Sequence, residues 1–180
     1  MQTPTNKVEL RQQLIAARRN MGADAKAIAD ARIMQRLSEW LDAHQPTSLG
    51  AFIAMSAEPE LITLYETLSS RSIALAMPVV LEKNQALIYA RWQPGEPLAR
   101  DASGTMAPAR HEQILKPAVV LAPCVGFNDE GFRLGYGGGY FDRTLAQEPK
   151  PTSIGIAYAI TRAKFSVEAH DIPLDLIITD

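Results

Sequence analysis

The segment FNDEGFRLGYGGGYFDRTL, residues 127–145, gathers groups suited to holding a polyanion. Of the 11 glycines in the chain, it holds Gly131, Gly135, Gly137, Gly138 and Gly139, framed by Arg133 and Arg143. Tyr136 and Tyr140 stand among them, and Asp142 lies just beyond. Glycine costs an element roughly 1 kcal/mol per site against alanine, so this concentration implies a backbone that turns sharply or comes close to something. A loop of this kind running into a helix near residues 140–147 would aim free N–H groups and the helix dipole at a phosphate. Neither common phosphate motif fits. A G-x-G-x-x-G fingerprint from Gly135 needs glycine where Tyr140 stands, and a Walker A loop needs Gly-Lys-Ser/Thr where Gly139 is followed by Tyr140. A Rossmann dehydrogenase and a P-loop kinase therefore lose ground. The plain alternative is a tight turn whose aromatics only pack; arginine, glycines, tyrosines and an acid coinciding after a buried strand argue against it.

Two more cations, Lys7 and Arg11, lie one helical turn apart, so both reach one face and one polyphosphate. Spacing alone favours a solvated helix face, the usual place of such a pair. His44 and His111 have no metal-like spacing to other ligands, no Ser/His/Asp set stands out, and Cys124 has no partner for a Cys/His nucleophile, so it reads as a small packed residue.

The elements that must position these residues alternate between helix and apolar strand. Residues 6–21 read as a helix, with Asn6 and Glu9 as a capping box and Val8, Leu14 and Ile15 as its apolar face; Lys7, Arg11 and Arg18 share another face. A second helix runs to about residue 44 on a stripe of Ile33, Leu37, Trp40 and Leu41. Strands are expected at residues 48–55, at 72–81 with Pro78 interrupting, at 86–93, at 117–123, at 152–158 and at 174–180, with a helix near 58–71 and a long connection over 93–109. The pattern implies an α/β fold: a three-layer domain with a central, largely parallel sheet flanked by helices, spanning residues 1–180 as one domain. In such sheets ligands bind beyond the carboxyl ends of strands, where the glycine loop falls.

Composition narrows the classes further. The chain of 180 residues has a formal net charge of −2 and 47% hydrophobic residues, which fits a globular domain and argues against a general nucleic-acid binder. One cysteine allows neither an internal disulfide framework nor a cysteine zinc cluster. The start MQTPTNKVELRQQL lacks an apolar signal core and no run approaches a membrane span, so a cytoplasmic protein without membrane association is expected, and a monomer.

GFNDEGFRLGYGGGYFDRTL resembles the signature of the 5-formyltetrahydrofolate cyclo-ligase (methenyltetrahydrofolate synthetase) family. KVELR (residues 7–11), AMSAEPEL (54–61) and HDIPLDLIITD (170–180) resemble further family segments in the same order and spacing. The resemblance implies an enzyme that uses ATP and magnesium to convert 5-formyltetrahydrofolate into 5,10-methenyltetrahydrofolate, phosphorylating the formyl oxygen and then closing the ring. It assigns Lys7, Arg11, Arg133, Leu134, Gly135, Tyr136, Gly137, Gly138, Gly139, Tyr140 and Phe141 to ATP, with Arg133 also stabilising developing charge. It assigns Ile53, Met55, Glu58, Tyr136 and Tyr140 to the folate, Glu58 facing its pterin, and Asp142 and Asp171 to magnesium. Trp92 is a further candidate for stacking on an aromatic group. The plainer alternatives are a surface ion pair of Arg133 with Asp129 or Glu130, a pair of Asp142 with Arg143, and a turn capped by Asp171 beside His170. On the metal reading, Asp142→Asn lowers turnover with little loss of fold stability.

Four positions depart from the family pattern. Phe141 replaces a common tyrosine, Tyr136 and Gly138 stand where some members carry basic residues, and Val167 replaces a common proline. Any role of those bases falls here to Arg133, Lys7 or Arg11. A folate or nucleotide binding module without catalysis is the alternative function, and a sugar-phosphate isomerase on a similar fold is a third, needing a general base and no ATP.

Overall fold

The computed structural model describes residues 6–55 and 57–180. The first five residues of the start read for a signal core, and Ser56 within AMSAEPEL, lie outside the described residues. Helix α1 (Lys7–Arg19) is capped by Asn6, whose side chain accepts from the Val8 N–H at 2.9 Å. Its inward face is Leu10, Leu14 and Arg18; Val8, expected on the apolar face, is exposed. Helix α2 (Ala23–His44) buries Ile33, Leu37 and Leu41, whereas Trp40 is only partly covered and stacks on His44 at 4.0 Å.

A six-stranded sheet follows: β1 (Ser48–Gly50), β2 (Ala74–Val79), β3 (Ile88–Arg91), β6 (Val119–Pro123), β9 (Thr152–Ile156) and β10 (Leu176–Ile178), in the spatial order β10-β9-β6-β1-β2-β3. All neighbours pair parallel except β2 with β3, so the sheet is largely parallel with one antiparallel edge. Pro78 does not interrupt β2: it pairs opposite Tyr89, past the end of β1, where the missing N–H breaks no bond to that neighbour. Strand β1 is much shorter than the apolar run at residues 48–55, because the chain leaves the sheet after Gly50 to build a wall.

One face of the sheet is covered by α2 and α3 (Ile62–Ser69), around Ile33, Leu37, Leu68, Leu121 and Ile154. The other carries Val120, Ala122, Phe127 and Leu145, the last from α4 (Tyr140–Leu145). The result is a three-layer α/β arrangement. The connection expected over residues 93–109 contains a hairpin, β4 (Leu98–Arg100) with β5 (Met106–Pro108). A turn closes it: Asp101 Oδ1 accepts from the backbone of Ser103 and Thr105, while its Oδ2 accepts from Val80 N–H at 2.9 Å and docks the hairpin on the end of β2. A second hairpin, β7 (Gly126–Phe127) with β8 (Arg133–Leu134), follows β6. No helix among the described residues is long and apolar enough to cross a membrane.

Successive strands leave β1 in opposite directions. The chain moves from β1 to β2 and β3 on one side, and from β6 to β9 and β10 on the other. The carboxyl ends of β1 and β6 therefore flank the crevice where strand order reverses, the standard ligand position of open α/β sheets. The core that holds this frame is sensitive to truncation. Leu37 is fully buried between α2 and the sheet, so Leu37→Ala should lower the unfolding free energy by about 2–5 kcal/mol. Urea unfolding with an unchanged denaturant slope checks it.

Candidate functional site

A cavity of about 470 Å³ opens at that crevice. Its apolar floor comes from Phe52 and Ile53 after β1, Pro78 and Val80 at the end of β2, Leu87, and Pro123 at the end of β6. Along one side lie Arg133, Leu134, Gly135, Tyr136, Gly137, Gly138, Gly139, Tyr140, Phe141 and Asp142. Lys7 and Arg11 of α1 face them, with Asp171 and Glu168 from the segment before β10, and Met55 and Glu58 border the other end. Every residue named from the sequence for ATP, folate or metal therefore borders one cavity. Trp92 does not: it is buried in the main core, its indole N–H directed to the carbonyl of Glu96 at 3.3 Å.

The glycine loop takes its shape from two left-handed residues. Gly137 has φ +98°, with the Arg11 guanidinium packed against it, and Gly139 has φ +64° as the residue entering α4. A side chain at either position would meet strained backbone. Arg11 also grips the loop from outside, its Nε donating to the carbonyl of Gly135 at 2.7 Å.

Arg133 is buried and paired with neither Asp129 nor Glu130. Its two terminal nitrogens donate to the two carboxylate oxygens of Asp142 at 3.1 and 2.9 Å, a bidentate fork. Asp142 Oδ1 also accepts from Ile172 N–H at 3.2 Å, which anchors the segment carrying Asp171. Asp129 instead pairs with Arg162. Arg143, the other suggested partner of Asp142, donates to Gly138 O at 2.6 Å and Gln85 O at 3.2 Å and lies over the Tyr140 ring. Because Arg133 is buried, Asp142→Asn would strip a buried cation of its charge partner. A loss of about 1–3 kcal/mol in stability is then expected, more than the sequence suggested.

Lys7 Nζ bridges Glu168 Oε1 at 2.9 Å and Asp171 Oδ2 at 3.1 Å. Asp171 Oδ2 also accepts from Glu168 N–H at 2.8 Å, so it does cap a turn next to His170. Both acids hold Lys7 as a cation; its pKa is raised even though partial burial, the largest influence, opposes this. A carboxylate has roughly four acceptor directions. Asp142 fills three of them and Asp171 Oδ1 receives only a 3.8 Å contact from His170, so each acid keeps a hard oxygen donor for a cation. No group of three or more His, Cys, Asp and Glu able to hold a metal exists among the described residues. Such a cation would thus depend on phosphate and water for its remaining ligands, a coordination that suits magnesium.

At the other end Glu58 is buried. Its Oε2 accepts from Met55 N–H at 2.8 Å, across a turn in which Ala57 has φ +63°, and its Oε1 accepts from the Tyr136 hydroxyl at 2.6 Å. Burial raises the Glu58 pKa, and the bonds from Tyr136 and Met55 oppose that. The Tyr136 hydroxyl is pushed up to about 12 by burial and by the neighbouring carboxylate.

Sequence reasoning missed three contributors to this site. Ser103, Thr105 and Met106 arrive with the hairpin docked by Asp101, whose Asp-Ala-Ser-Gly turn was the available signal. Glu168 on Lys7 gave no signal of its own. Arg18, placed on one helix face with Lys7 and Arg11, is buried beneath Tyr136.

The sequence matches the 5-formyltetrahydrofolate cyclo-ligase family over residues 3–180. It is similar to the 5-formyltetrahydrofolate cyclo-ligase of Haemophilus influenzae, with 24% identity over 94% of this chain and 96% of that protein. A stretch of 64 residues is 48% identical to the Mycoplasma pneumoniae 5-formyltetrahydrofolate cyclo-ligase, covering 33% of this chain and only 37% of that one. The solved structure of a 5,10-methenyltetrahydrofolate synthetase from Mycoplasma pneumoniae superposes with a TM-score of 0.78 at 25% identity, over 98% of this chain and 99% of that chain.

The burial of Glu58 carries a pH signature. Its folded pKa lies above the ordinary 4.5, so the folded protein retains a proton that the unfolded chain has released. Stability from this group is full below pH 4.5 and is lost as pH rises through the folded pKa. Glu58→Gln removes the titration. Relative to that variant, wild type should lose stability as pH is raised from about 4.5, measured by urea unfolding at stepped pH; a difference independent of pH would contradict the burial argument.

Proposed function

Since the chain belongs to the 5-formyltetrahydrofolate cyclo-ligase family, we propose that it uses ATP and magnesium to convert 5-formyltetrahydrofolate into 5,10-methenyltetrahydrofolate, with release of ADP and phosphate. The observation that carries this reading is that one cavity is lined by two chemically different sets of groups. One set is Lys7, Arg11, Arg133 and a glycine-lined backbone; the other is an apolar floor and a buried carboxylate, Glu58. The first suits a polyphosphate, the second a flat heterocycle with an amino-pyrimidine edge.

In this reading Lys7 and Arg11 bind phosphate oxygens, and the glycine loop, free of side chains at its left-handed turns, lets main-chain N–H groups approach them, from Arg133 through Phe141. Helix α4 has only 6 residues, so its dipole adds little. Lys7 must exchange its contact with Glu168 for phosphate. That contact is exposed, and such pairs are worth only about 0–1 kcal/mol. Asp142 and Asp171 would hold magnesium together with phosphate oxygens, and the ion would supply charge neutralisation there.

Glu58 accepts from the pterin edge, while Ile53, Met55, Tyr136 and Tyr140 enclose the ring system. Pinning both substrates in one water-poor cavity aligns the terminal phosphoryl group with the formyl oxygen. Arg133, held at a fixed position by Asp142, stabilises the charge that develops as the phosphoryl group moves. The phosphorylated formyl carbon is then open to attack by N10 of the same folate. A carbon–nitrogen bond forms, the bond from carbon to the phosphorylated oxygen breaks, phosphate departs and N10 gives up its proton. Phe141 packs its ring on the Arg133 guanidinium at 5.3 Å, so the hydroxyl of the family's usual tyrosine has no counterpart and is not needed for that contact. A soluble protein acting on a small-molecule folate, without nucleic acid and as a monomer in the cytoplasm, completes the reading.

The test is the near-ultraviolet absorbance of the methenyl product. It should rise only when 5-formyltetrahydrofolate, ATP and magnesium are all present; a rise without ATP, or ligand binding with no rise, would overturn the reading. Asp171→Asn should lower kcat by at least about tenfold and raise the magnesium concentration needed for half-maximal rate, while Glu58→Gln should raise KM for the folate far more than KM for ATP. Steady-state kinetics with each substrate varied in turn checks both.

A further inference from the structure

Arg18 is a charged residue that neither the glycine loop nor the acids explain. It lies on α1 beyond Arg11, yet it is turned inward and only 1% exposed. One terminal nitrogen donates to the carbonyl of Cys124, just past β6, at 3.2 Å. The other donates to the Tyr136 hydroxyl oxygen at 3.0 Å, and the guanidinium carbon lies 6.0 Å from that ring's centre. Arg18 does not border the cavity.

A guanidinium only donates. The Tyr136 oxygen that accepts from Arg18 must therefore aim its own proton elsewhere, and Glu58 Oε1 is 2.6 Å away. The relay has one direction, from Arg18 to Tyr136 to Glu58. With Met55 N–H donating to the second oxygen, Glu58 is an acceptor on both sides, and both bonds oppose the burial that raises its pKa.

We infer that Arg18 is a positioning residue for the folate end of the cavity: acting through Tyr136, it fixes the Glu58 carboxyl as an oriented acceptor without touching the ligand. The inference rests on the assignment of Glu58 to the pterin edge made above. The other groups around Glu58 do not replace Arg18. Tyr158, at the end of β9, donates to Asp30 at 2.5 Å and approaches the Glu58 main-chain carbonyl at 3.3 Å, not its carboxylate. Lys26 is engaged by Asp30 at 2.6 Å. Tyr65 and Cys124 are fully buried, and burial drives both upward in pKa, Cys124 to about 12, so they stay neutral. Arg18 is thus the cation that acts on the buried acid, against the effect of its burial.

The test is calorimetric titration with 5-formyltetrahydrofolate and, separately, with a non-hydrolysable ATP analogue, over a pH series. Arg18→Met should weaken folate binding by at least about tenfold, leave the ATP analogue within about twofold, and move the acid limb of folate binding to higher pH. In a Glu58→Gln background the Arg18→Met effect should vanish, and Arg18→Lys, which keeps a donor, should restore part of the affinity. Equal losses for both ligands, or the same loss with Glu58 already removed, would overturn the inference and leave Arg18 a structural residue. Should Arg18→Met fail to fold, Tyr136→Phe cuts the same relay and must show the same non-additivity with Glu58→Gln; additive losses overturn the inference. Wild-type affinity in Glu58→Gln alone would remove the pterin assignment and the inference together, an outcome separable from a silent Arg18→Met.

Discussion

A buried fork between Arg133 and Asp142 organises the site. Arg133 sits on β8 and Asp142 in the first turn of α4, so the pair closes the glycine loop between them like a clasp. The same carboxylate receives Ile172 N–H, which brings in the segment with Asp171 and Glu168, and those acids in turn hold Lys7 at the start of α1. Four distant stretches of chain are thereby fixed around one pair of charges. Removing one partner from such a pair is expensive because the other is left uncompensated out of water. The layout of the site therefore depends on an ion pair whose first task is structural.

The fold makes this economical. Strand order reverses between β1 and β6, so the crevice exists before any loop is placed, and the sheet contributes only apolar floor there. Charge enters from elements outside the sheet: α1, the glycine loop and the segment before β10. Tyr136 joins the glycine loop to the buried acid, since its backbone lies in that loop and its hydroxyl belongs to the Glu58 relay.

Much of this was legible in the sequence because it is local. The glycine cluster and the buried run at residues 119–123 each declare themselves within a few positions, and the Lys7 and Arg11 pair does so once the family resemblance is added. What escaped depends on contacts far apart in the chain. Arg18 looked like one more cation on a helix face; it is buried against partners that include Cys124 and Tyr136, more than a hundred residues away. The hairpin over residues 98–108 is short, exposed in part and docked through Asp101, an Ala102 N–H bond to the Val80 carbonyl and the packing of Ala107, too little periodicity to mark a strand. The run at residues 48–55 looked like one strand because apolar side chains line both a sheet and a pocket floor. The partner of Arg133 was sought among its nearest acids, while the fold supplied one on the far side of the loop.

The central claim is that this cavity transfers a phosphoryl group to the formyl oxygen before the ring closes. The most direct measurement is the fate of that oxygen. With 5-formyltetrahydrofolate carrying 18O in the formyl group, one labelled oxygen should appear in each phosphate released, read by mass spectrometry under single turnover. Unlabelled phosphate, with the label lost to water, would contradict the account and separate ATP hydrolysis from ring closure.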